Sequence, residues 1–257
     1  MNRLKIGSWK SVSILTAVLA LVGACAGGGD RKGEAYAQEA WAYFKKMCDA
    51  NSGEKVYRTY NGVKSVFVSK PLSPATQKDL WNQYWYGDPY SNATPWDRRA
   101  EAAASTLASP NAPVAPGKSG RGFDFVETAI PATEKEAARI EKYFYLPGAR
   151  DHMKEPINRT VSRFGISWED ISTPEDRKYW VAGSRLRVVD LADNSVVAER
   201  IGYLIEPGFG SLAGHRNPWL TARGPRTTCP AISNGDFEDR WFVLKVLSPV
   251  EENRNGK

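Results

Sequence analysis

The sequence predicts an α+β fold: a single domain built on an antiparallel β-sheet and flanked by a few short helices. Two pairs of strand-like runs, near 55–68 and 185–205, are each joined by turn residues, and a last strand-like run lies near 241–247. Helical periodicities are scattered between these runs and do not alternate regularly with them, which argues against a parallel α/β sheet. The composition fits a globular domain, with 257 residues, 42% hydrophobic, 25% charged, 16 Pro and 22 Gly. Only one long apolar run exists, at the N-terminus, which excludes a polytopic helical membrane protein.

The mature domain is expected to start near Glu34. Ala37, Trp41, Phe44 and Cys48 recur at helical spacing over Glu34–Asp49, and Gly53 ends that segment. Lys55–Tyr60 and Val63–Val68 are rich in Val, Tyr, Phe and Thr and flank Asn61-Gly62, the dipeptide that supplies the positive φ of a two-residue hairpin turn. Pro71–Pro74 breaks the pattern, a short helix is expected over Ala75–Tyr84, and Trp81, Tyr84, Trp85, Tyr86, Tyr90 and Trp96 form an aromatic segment. A helix over Arg98–Leu107 precedes a Pro/Gly-rich connector, Ser109–Gly122, and a short strand at Phe123–Val126.

Thr133-Glu-Lys-Glu136 fits a capping box, so Ala137, Ile140 and Phe144 are expected on the buried face of a helix ending near Tyr145. Val161–Ile166 reads as a strand. Thr173-Pro174-Glu175-Asp176 starts a short helix: a cap residue, Pro at the first position, and acids at the positive end of the helix dipole. Arg185–Leu191 and Val196–Ile205, joined at Ala192-Asp193-Asn194, form an antiparallel hairpin. Trp241–Leu247 is expected as the last strand, residues 251–257 as a polar tail, and no internal repeat is present.

The first residues carry an address. Arg3, Lys5 and Lys10 precede an apolar stretch, Val12–Ala24, of thirteen residues, too short for a bilayer core, which needs about 20. This is the pattern of a secretory signal peptide. Its end, Val22-Gly23-Ala24-Cys25, resembles the lipobox of a bacterial lipoprotein. The resemblance covers residues 1–25. It implies cleavage after residue 24, a diacylglycerol on the Cys25 sulfur and a third acyl chain, such as palmitate, on its amine. Two or three chains anchor a protein stably to a membrane. Ala26 stands where an Asp would retain such a protein in the inner membrane. The resemblance therefore implies the outer membrane, with the domain facing the periplasm. Residues 25–33 read as a flexible Gly-rich tether and 34–250 as the single domain.

Loss of Arg3, Lys5 and Lys10 with the signal lowers the formal charge from +6 to +3, too little to imply a nucleic-acid partner. Besides Cys25 the chain has two cysteines, Cys48 and Cys229. In an oxidising compartment an isolated pair is most simply a disulfide, here tying the first helix to the last third of the chain.

Motifs for chemistry are missing. His152 and His215 are the only histidines and no Cys cluster exists, so no His-based metal site is expected, and no cofactor. Neither a phosphate-binding Gly-rich loop nor a Gly-x-Ser-x-Gly nucleophile elbow occurs. The segment Pro207–Asn234 has no acidic residue over 28 positions and carries His215, Arg216, Trp219, Arg223 and Arg226. These five are the candidate binding residues for an anionic partner, since Arg and Trp concentrate binding energy. The other reading is an irregular surface loop with Trp219 packed on the core. The aromatic segment is open in the same way, as core or as a platform for sugar rings or a protein.

The function these observations favour is a non-catalytic, lipid-anchored binding domain, of immunity or envelope-scaffold type. Its partner is an envelope protein or an anionic or glycan polymer. The alternative is an envelope hydrolase acting on peptidoglycan or another glycan, with acids such as Glu169 and Asp170 lining a cleft.

Overall fold

A computed structural model of the chain describes residues 31–70, 75–92, 99–115, 117–132, 136–232 and 238–250. The signal segment, Cys25, Trp96, the Thr133 cap and the polar tail lie outside the described residues. The chain divides into two units, Met1–Glu39 and Ala40–Lys257. Of the first, residues 31–39 are described, as helix.

In chain order the elements are α1 (Arg31–Asn51), β1 (Gly53–Val56), β2 (Tyr60–Val63) and β3 (Ser65–Lys70), then a 3-10 turn (Asp79–Trp81), α2 (Pro89–Asn92) and α3 (Arg99–Ala108). Next come β4 (Ala112–Ala115), β5 (Lys118–Gly120), β6 (Phe125–Ile130), β7 (Arg139–Phe144), β8 (Met153–Ile157), β9 (Phe164–Asp170) and α4 (Pro174–Lys178). The chain continues with β10 (Val181–Asp190), β11 (Ser195–Ile205), a 3-10 turn (Ala213–His215), α5 (Pro218–Thr221), β12 (Thr228–Cys229), α6 (Glu238–Val246) and β13 (Leu247–Pro249).

The fold class is α+β, but the large sheet is mixed and not purely antiparallel. Its order is β1-β11-β10-β9-β3-β6-β7-β8, with β12 added beside β11. The central strand β3 runs parallel to both its neighbours, β6 and β9, and the other pairings are antiparallel. One face of this sheet carries Val66, Val68, Val126, Ile166, Leu186 and Val188, and it buries them with α3 and α6 side chains such as Leu107, Phe242 and Val246.

Several elements form where local chemistry places them. Thr173 caps α4 through a complete capping box with Asp176, and Pro174 is its first residue. The hairpin of β10 and β11 turns at Asn194, whose φ is 58°, while the Asp193 carboxylate accepts from Ser195 N at 2.9 Å. α1 closes where Ser52 N and Oγ both donate to the Cys48 carbonyl.

Four expectations about single elements are corrected here, besides the mixed sheet above and a late strand start below. The hairpin near 55–68 does not form: β1 pairs with β11, β2 with β13, and β3 with β6 and β9. Gly62 does take φ 69°, but a turn dipeptide sets backbone angles and not partners. Placing β3 centrally takes Val66 and Val68 completely out of water, a larger gain than a two-stranded ribbon offers. Residues 139–144 form a strand and not a helix, because pairing with β6 and β8 on both sides overrides the weaker helical spacing. The last strand expected near 241–247 is instead helix α6, followed by β13. Its buried Phe242, Val243 and Val246 sit at i, i+1 and i+4, a stripe that covers the sheet face beside α3. A short apolar run satisfies either period, and tertiary burial decides between them. The helix expected over 75–84 shrinks to the single 3-10 turn at Asp79–Trp81.

The strand expected at 161–166 begins later, at Phe164. Residues 160–162 are held by a side chain instead. The fully buried Glu127 carboxylate accepts from Thr160 Oγ1, from Val161 N at 3.0 Å and from Ser162 N at 3.0 Å. A charge removed from water needs such donors.

Candidate functional site

Cys48 and Cys229 are joined as a disulfide with Cα atoms 5.7 Å apart, which ties α1 to β12. Among the described residues no group of His, Cys, Asp and Glu is placed to hold a metal ion. Glu169 and Asp170, the acids of the hydrolase reading, are neighbours on β9 and therefore point to opposite faces of the sheet. Asp170 takes a hydrogen bond from Arg177 at 2.8 Å, whereas Glu169 faces Lys70 and Arg187. Burial pushes the Asp170 carboxyl up despite that guanidinium, and burial likewise pulls Arg177 down.

The five candidate binding residues do not form one patch. Trp219 is 0% exposed. It packs against Trp180 with ring centroids 5.3 Å apart, lies under the Arg177 guanidinium at 5.2 Å, and donates its indole N–H to the Asn82 carbonyl at 2.7 Å. It is a core residue, so its role as a binding contact is corrected. Arg216 is lost from the surface for another reason, an acid outside the acid-free segment. Glu206, the last acid before it, is fully buried and accepts from Gly208 N at 3.0 Å, from Gly210 N at 2.7 Å and from Arg216 Nη2. Arg216 is thus turned inward, and its guanidinium also reaches Thr221 Oγ1. Gly210 is required here: its φ is +81°, and a Cβ would stand 2.5 Å from the Trp180 ring. His215 and Arg226 are exposed, and Arg223 is half-buried.

What the fold brings together is the aromatic segment and the acid-free segment. α5 packs on the 3-10 turn Asp79–Trp81. Trp81 donates its indole N–H to Asn217 Oδ1, and Asn217 Nδ2 donates to Gln77 Oε1 at 2.8 Å. Gln83 Nε2 reaches across to the carbonyls of Arg177 at 2.8 Å and Lys178 at 3.0 Å. With Leu80, Pro218 and Trp219 buried beneath, three segments distant in sequence make one rigid base. On it Trp81 stays 52% exposed, and farther along the same segment Tyr84 is 50% and Tyr86 94% exposed.

Sequence reasoning named both segments and missed their junction. Asn217 carried no signal by itself. Glu206 did: it is an acid at the end of a hydrophobic strand, followed by Pro-Gly-x-Gly, and such a residue meets free backbone amides. No family model matches the chain, and no curated protein or solved structure matches it.

Proposed function

We propose that the chain is a lipid-anchored envelope protein, held through Cys25 at the outer membrane and facing the periplasm. Its domain is a non-catalytic binding module, with the aromatic surface around Trp81 as the contact. The observation that carries this reading is the state of Trp81: its N–H is bound by Asn217 and its ring is fixed, yet half of the side chain is left in water. Ordering a large aromatic without burying it gains little for folding and prepares a surface for a partner. Pairing of Cys48 with Cys229 supports an oxidising compartment. No helix among the described residues is long and apolar enough to cross a membrane, so attachment in this reading falls to the lipid.

The test has two parts. Cys25→Ser is expected to move the protein from the membrane to the soluble fraction, and an unchanged distribution would refute the anchor. Capture from envelope extracts with the full-length protein in detergent is expected to retain a partner that Trp81→Ala loses. Equal capture by both forms would refute the surface.

A further inference from the structure

We draw no further inference here: the strongest candidate, the trough of about 810 Å³ on the sheet face away from α3 and α6, lined by Phe67, Ala129, Ile140 and Ile157, has its rim cations Lys70 and Arg139 already paired with Glu169, Glu136 and Glu141, and nothing in the structure shows what covers it.

Discussion

Arg216→Met would leave the Glu206 carboxylate with two amide donors, Gly208 N and Gly210 N, and no countercharge. Glu206 is 0% exposed and the Arg216 side chain 23%. Removing one partner of a buried pair costs about 3–5 kcal/mol, because the remaining charge is uncompensated. Water reaching the vacated guanidinium site places the expectation at the lower end, about 3 kcal/mol. For a domain of this size each kcal/mol lowers Tm by roughly 2–4 °C, so a fall of about 6–12 °C is expected. Glu206→Gln combined with Arg216→Met removes the stranded charge while keeping an acceptor for the amides, and it should recover much of the loss. Urea unfolding followed by tryptophan fluorescence reads the effect where it arises, since Trp180 and Trp219 pack beside this loop. An Arg216→Met midpoint equal to wild type, or strictly additive effects in the double variant, would show that the pair is not coupled in the way its geometry requires. The result also bears on binding experiments: a loss of partner in an Arg216 variant reports the weakened loop, and Trp81 is the residue to change.

Two further outcomes are expected. Replacing Cys48 and Cys229 together by Ser opens a closure of 181 residues, worth about 5 kcal/mol in the chain-entropy model as an upper figure. The urea midpoint should fall markedly, and an unchanged midpoint would mean that the cross-link constrains nothing. Asp190 is held below the usual aspartate value by the hydrogen bonds of Arg163, helped by Ala192 N and opposed by burial. Its contribution to stability is therefore present above the unfolded-state value and lost as pH falls through the lower folded one. Arg163→Met should raise the Asp190 carboxyl in an NMR titration, and its stability deficit should shrink on acidification. A deficit that grows in acid would contradict this sign.

How much was legible before the structure depended on the range of the interaction. The α4 cap at Thr173, the turn at Asp193-Asn194 and the apolar stripe of α1 are written within a few residues, and the chain folds there as its local chemistry directs. The isolated cysteine pair was legible through its number and the compartment that the signal-like N-terminus implies. Where a segment's own preference was weak or double, its partners decided. Tyr143 and Phe144 sit in a run that fits helix or strand, and pairing on both edges settles it. Phe242 and Val246 fit a strand, and the bare sheet face beside α3 made them a helix.

The candidate site shows the same division. From its own residues the sequence determined an α+β domain of modest charge, an N-terminal stretch resembling a lipoprotein signal, and two segments rich in the residue types that bind. Only the tertiary structure decided which of their side chains meet water. Glu206 closes on backbone amides and a guanidinium ten residues later, Trp219 turns under Arg177, and Asn217 takes the N–H of a tryptophan 136 positions away. The physical reason is that a side chain's exposure depends on what the fold packs against it. A buried carboxylate must find donors wherever the chain supplies them, and hydrophobicity along the chain records neither that search nor its result.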